Sequence, residues 1–174
     1  RLFYGMGKGK LSSELGLSPG EAEDLFEKYH KRVPFVKEMI ERTMKKAADI
    51  GHVRTLLGRK CRFDKWEPSR YGVHRPLPRD EAEREHGKQI RRAFTYKALN
   101  KIIQGSAADM TKQAMADLHD EGIIPHIQVH DELDCSFEDE VEKDKILEIM
   151  RNAVKLEVPV KLDAEVGPSW GKAK

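Results

Sequence analysis

Two short apolar segments, Ile124 to Val129 and Leu133 to Phe137, are separated only by His130, Asp131 and Glu132. Strand-like segments broken by so few residues must turn back on each other, so the spacing predicts a β-hairpin with its charges at the tip. Paired strands hold such a tip still, which makes Asp131 and Glu132 a fixed anionic point. Mg²⁺ suits that point, because it binds one or two carboxylates, keeps several waters and completes its octahedron with phosphate oxygens. A solvated acidic turn accounts for the same two residues without any ligand.

Around the hairpin the chain reads as α+β. A short helical piece near Leu11 to Leu15 is followed by Ser18-Pro19-Gly20-Glu21, a capping box with proline at the first helical position. The helix it opens carries Ala22, Leu25, Phe26 and Tyr29 on one face and ends at Val33-Pro34. A second helix is expected from about Phe35 to Asp49, with Val36, Met39, Ile40 and Met44 inward and Gly51 as its cap. His52 to Leu57 and Lys60 to Phe63 read as two strands around Gly58. Asp64 to Arg79 holds three prolines and no apolar period, which predicts an exposed loop. Glu81 to His119 reads as helix, in one or two pieces near Gly87, with Ile90, Phe94, Ile102, Met110, Ala114 and Leu118 inward. After the hairpin, Glu138 to about Lys155 reads as helix and Val158 to Val166 as a closing strand. This order predicts an antiparallel sheet with helices on one face.

The 174 residues carry 36% charged side chains, yet 32 Lys and Arg almost cancel 30 Asp and Glu, for a formal net charge of +2. Any polyanion site must therefore come from local clustering. Cys61 and Cys135 have no metal-type spacing and make no disulfide framework, which points to a reducing compartment. No apolar run reaches the length of a membrane span, and no secretion signal is visible, so a cytoplasmic location is expected, in the host if the source is viral. Arg1-Leu2-Phe3-Tyr4-Gly5 reads like the tail of an element already under way, so the chain is expected to be a fragment.

Basic residues cluster twice. Lys88, Arg91, Arg92, Lys97 and Lys101 occur without an acid among them, and Tyr96, Asn100 and Gln104, spaced every four residues, share one helical face. Lys and Arg neutralise phosphates, whereas Asn and Gln reach minor-groove acceptors without demanding one base. Arg54, Arg59, Lys60, Arg62, Lys65 and Arg70 against Asp64 and Glu67 mark a second candidate phosphate-contacting lobe. Gly105-Ser106-Ala107-Ala108 is small enough for another backbone to approach closely. Gly5, Gly7 and Gly9 with Lys8 and Lys10 lack the spacing of a phosphate-binding loop.

Tyr4-Gly5-Met6, Thr55-Leu56-Leu57-Gly58-Arg59, Ala98-Leu99-Asn100 with Gln104-Gly105-Ser106-Ala107-Ala108-Asp109, the hairpin motif, and Gly167-Pro168-Ser169-Trp170 resemble, in order, the C-terminal part of family A (DNA polymerase I type) DNA polymerases, and phage-type members most. The resemblance implies helical fingers over residues 1–80, followed by the later palm over 81–174, whose antiparallel sheet carries the catalytic hairpin. It implies that Asp131 binds the catalytic metals, two Mg²⁺ in a complete site, with Glu132 auxiliary and His130 at the primer end. Tyr4 would belong to the nucleotide-binding helix, Asn100 and Gln104 to the minor groove, and primer-template DNA and dNTP would be the partners. Bacterial members have arginine where this chain has Tyr96. With Arg59, Arg91, Arg92 and Lys97, these positions form the expected DNA-binding set.

The family also needs a second metal-binding Asp, in an Asp-Tyr-Ser-type motif, and basic residues that clamp the triphosphate; nothing in this sequence supplies them. A missing N-terminal polymerase segment is therefore an expected partner, and the chain alone is expected to be inactive. A non-catalytic primer-template-binding fragment and a single-subunit RNA polymerase are the alternatives. Glu132 after Asp131 and the Gln-Gly-Ser-Ala-Ala-Asp run favour the DNA enzyme.

Overall fold

The computed structural model describes residues 7–173. Tyr4 lies outside them. Residues through Gly105 form one compact unit and those from Ser106 onward a second.

In the first unit, α1 (Lys8–Leu15) leads into α2 (Pro19–Arg32). The expected capping box is present: Ser18 Oγ accepts from the Glu21 amide at 3.4 Å, and the Ser18 amide donates to Glu21 Oε2 at 2.9 Å. Two of the helix's orphan amides are thereby satisfied. Val33 ends α2, and α3 (Pro34–Ile50) begins at the next residue, where proline needs no amide partner. Gly51, at φ 75°, closes α3 by donating to the Ala47 carbonyl. The chain then reverses through β1 (His52–Arg54) and β2 (Lys60–Arg62), antiparallel with Val53 opposite Cys61. Ala47, Val53, Phe63 and Ala98 form the buried centre, with Cys61 and Ile102 against it. Burial of Val53 and Phe63 contributes about 1.5–3 kcal/mol each.

Residues 64–97 depart from expectation. The segment read as an exposed loop contains β3 (Trp66–Pro68), and the segment read as helix contains α4 (Arg79–His86), then β4 (Ile90–Arg92) and a 3-10 turn at Thr95–Lys97. β3 and β4 pair antiparallel, with Glu67 opposite Arg91. Each strand is three residues long and its partner is more than twenty positions away, so neither leaves a periodic signal. Pro68 and Leu77 are buried here, while Phe94, expected inside, is exposed at φ 62°. Lys88, Arg91 and Arg92 consequently do not lie on the long helix. Leu25 is also exposed rather than packed inside.

α5 (Ala98–Asp120) begins in the first unit and continues into the second. There, β5 (Ile127–Val129) and β6 (Glu132–Asp134) form the expected hairpin, and α6 (Glu140–Asn152) follows, with Asp139 accepting from the Glu142 amide at 2.9 Å. Leu118, Ile123 and Ile146 are buried together, joined by Leu133, Phe137, Ile149 and Met150. The expected strand from Val158 to Val166 is not formed; no neighbouring strand pairs with it among the described residues, and Val158 and Val166 are exposed. The α+β class with small antiparallel sheets stands. Among the described residues, no helix is long and apolar enough to cross a membrane.

Candidate active site

The hairpin turn consists of His130 and Asp131, between Val129 and Glu132, which face each other across the ladder. His130 has φ 56°, a left-handed conformation uncommon for a residue other than glycine. Gln128 Nε2 donates to the His130 carbonyl at 3.0 Å and braces the turn from one strand. Leu133 packs on the second-unit core, so the base of the hairpin is anchored while its tip is open to water. Neither the Asp131 nor the Glu132 carboxylate takes part in a hydrogen bond or ion pair among the described residues. Their oxygens therefore fit a hard divalent cation, which would take its remaining ligands from water or substrate. Among the described residues there is no group of three or more His, Cys, Asp and Glu able to hold a metal, so this pair supplies part of a coordination shell. Burial, then the nearby Asp134 charge, pushes the Cys135 thiol up, which keeps it protonated and disfavours a thiolate role beside the hairpin.

The expected DNA-facing residues lie in the first unit, where the structure treats them unequally. Asn100 and Gln104 are one turn apart on α5, with Gln104 exposed. Tyr96 belongs to the preceding 3-10 turn, where the Lys97 ammonium lies 4.8 Å from the Phe94 ring centre and 5.6 Å from that of Tyr96. Such cation–π contacts hold Lys97 at the surface. Lys101 instead turns inward, its Nζ 3.4 Å from the Arg62 carbonyl and over the Phe63 ring. Arg59 Nη2 donates to the Gly105 carbonyl at 3.0 Å, next to Gln104. Arg91 pairs with Glu67 at 3.0 Å. Arg92 donates to the Ala48 and Phe63 carbonyls at 3.1 and 3.0 Å and stacks over Trp66, so its guanidinium ties together α3, the residue that follows β2, and β3. Nothing in the sequence around Arg91-Arg92 separates these two roles. The bracing by Gln128 was also missed, although an amide two residues before a turn is the kind of signal that could have shown it.

The family model of DNA polymerase family A matches residues 1–172. The chain belongs to this family. It is 36% identical over 151 residues to the DNA-directed DNA polymerase of Pseudomonas phage M6, covering 87% of this chain and 20% of that protein. It is 37% identical over 180 residues to the thermostable DNA polymerase I of Thermus filiformis, covering 99% of this chain and 20% of that one. Among solved structures, the POL domain of Pol1 from M. smegmatis, in complex with DNA primer-template and dNTP, is similar at TM-score 0.74 and 31% identity over 99% of this chain and 29% of that one. The chain thus spans about a fifth of the length of these curated family A relatives.

Proposed function

We propose that the chain is the later fingers (residues 1–80) and later palm (81–174) of a DNA-directed DNA polymerase that adds dNTPs to a primer 3′-hydroxyl. The observation that carries this reading is a carboxylate pair at the tip of a braced β-hairpin, Asp131 in its two-residue turn and Glu132 at the start of β6, within a chain of family A. Asp131, in the turn itself, would hold the catalytic Mg²⁺, and Glu132, already in the β6 ladder, would adjust the field beside it. The chemistry supplied by two Mg²⁺ when bound is a lowered pKa of the primer hydroxyl and a stabilised pyrophosphate leaving group. His130 would contact the primer end and Tyr4 the incoming dNTP. Tyr96, Asn100 and Gln104 would face the minor groove, and Arg59, Arg91 and Lys97 would set the positive field for the phosphates, while Arg92 is engaged by the Ala48 and Phe63 carbonyls and Trp66. Because Asp131 and Glu132 are only part of a coordination shell, the chain alone is expected not to extend a primer and to depend on a further polymerase segment.

Primer extension with Mg²⁺ tests both statements. Nucleotide incorporation by the isolated 174-residue chain above a contaminant control would contradict the second. In the polymerase that contains this chain, Asp131→Ala should abolish turnover and Glu132→Ala only reduce it, with DNA binding kept; equal losses would contradict the assigned roles.

A further inference from the structure

Residues 69–76 form a projecting loop that the proposed site does not use. Its base is closed, because Trp66 and Leu77 exchange backbone hydrogen bonds at 2.7 and 2.9 Å and the Ser69 amide donates to the Gln89 carbonyl at 2.9 Å. Its tip is braced as well: His74 Nε2 donates to the Arg70 carbonyl at 3.2 Å, with the imidazole folded against Gly72. Between these two supports, Tyr71 and Val73 stand in water with relative exposures of 103% and 104%. Held apolar side chains that touch nothing are unusual, and an aromatic one offers a bare face for stacking.

The charge around the tip has one sign. From Pro68 through Arg79 there are three Arg and one His, and no acid. Arg79 is bonded to Glu83 at 2.8 Å, but Arg70 and Arg75 make no ion pair among the described residues. The one acid in the adjoining cleft, which Arg70 shares with Pro68, Glu85, His86 and Gln89, is Glu85, and it lies 3.4 Å from His86.

We propose that this loop is a contact for single-stranded DNA, in which the Tyr71 ring stacks on an unpaired base and Arg70 and Arg75 neutralise the flanking phosphates. Every base has a π-face, so such a contact is tolerant of sequence. Duplex DNA offers the phosphates without a free base face, and an acidic peptide offers charge without a stacking partner. The assignment rests on the polymerase reading, which puts unpaired template within reach of the protein.

The test is fluorescence anisotropy of the 174-residue chain with oligo-dT and with a blunt duplex across a salt series. Tyr71→Ala should weaken oligo-dT binding by about fivefold or more and leave the salt slope and the duplex affinity unchanged, while Tyr71→Phe binds as the parent. Arg70→Ala and Arg75→Ala should each flatten the oligo-dT salt slope by about 0.7. Failure of the chain to bind oligo-dT would overturn the assignment, as would unaltered affinity in Tyr71→Ala or an equal loss on duplex. Since Tyr71 is fully exposed, its substitution leaves the fold intact. The polymerase reading is judged separately by primer extension with Asp131→Ala, so the two can fail independently.

Discussion

Arg59 donates to the carbonyl of Gly105 at 3.0 Å across 46 residues of sequence, and the approach is close enough to exclude any side chain at position 105. A Cβ there would lie 2.7 Å from Thr55 Cγ2 and 3.3 Å from Arg59 Nη2, and Thr55 is buried. The turn at 55–59 is thereby seated on the first part of α5, beside Gln104.

Gly105→Ala should therefore destabilise the chain by about 1–2 kcal/mol, because overpacking outweighs the roughly 1 kcal/mol that alanine normally adds to a helix. Thr55→Ser removes the opposing methyl and should recover part of the loss in the double variant. Denaturant midpoints of the four proteins decide it; a Gly105→Ala chain as stable as the parent would show that the turn is not seated this tightly.

Arg92→Lys should cost about 2 kcal/mol although the charge is kept, since an ammonium cannot reach two carbonyls and stack on Trp66 together. Gly51 adds to the constraint: a Cβ there would meet the Arg92 guanidinium at 2.6 Å. Thermal unfolding of the variant, with the salt dependence of primer-template binding alongside, separates the possibilities. Unchanged stability in Arg92→Lys, together with a salt slope that flattens in Arg92→Ala, would make Arg92 a phosphate contact instead.

Gln104→Ala should weaken primer-template binding by about 1 kcal/mol regardless of base identity and reduce discrimination against a mismatched primer end. Arg91→Ala, if that side chain leaves Glu67 for a phosphate, should instead flatten the salt dependence by roughly one counterion. Binding to matched and terminally mismatched duplexes over a salt series reads both effects. A Gln104→Ala protein with affinity and discrimination intact would reduce this face to solvated surface.

His130→Gly should raise stability by about 1 kcal/mol, because glycine adopts φ 56° without steric cost, and should lower turnover of the complete polymerase through loss of the imidazole. The opposite signs make the variant informative. Unfolding and single-turnover extension measured on the same preparation would reject the primer-end role if the rate were unchanged.

The Glu21 carboxyl is held below its ordinary 4.5 by the Ser18 hydroxyl and then by the Ser18 amide. A depressed acid adds stability that is fully present above its unfolded value and lost as pH falls through the folded one. Ser18→Ala removes the hydroxyl that caps the helix and holds this carboxyl down, and should lower stability at neutral pH. Below about pH 4.5 the difference from the parent should shrink. A stability gap that stays constant into acid would mean that the capping box does not form in solution.

What the sequence alone determined is local. Ser18-Pro19-Gly20-Glu21, Val33-Pro34 and Gly51 mark helix ends because caps and breakers act within four residues, and the three residues between two apolar runs fix the hairpin that carries Asp131 and Glu132. Tertiary structure decided the rest. Ile90-Arg91-Arg92 is strand because Trp66-Glu67-Pro68 offers it an edge, and the Val158 to Val166 segment, though more apolar, is no strand because no such edge meets it among the described residues. The same holds for side chains: Arg91 and Arg92 are identical neighbours in sequence, yet alternation along β4 sends one to Glu67 and the other to the Ala48 and Phe63 carbonyls and Trp66. Partners more than twenty residues apart leave no period to read, so hydrogen bonds of that kind become visible only when the chain is folded.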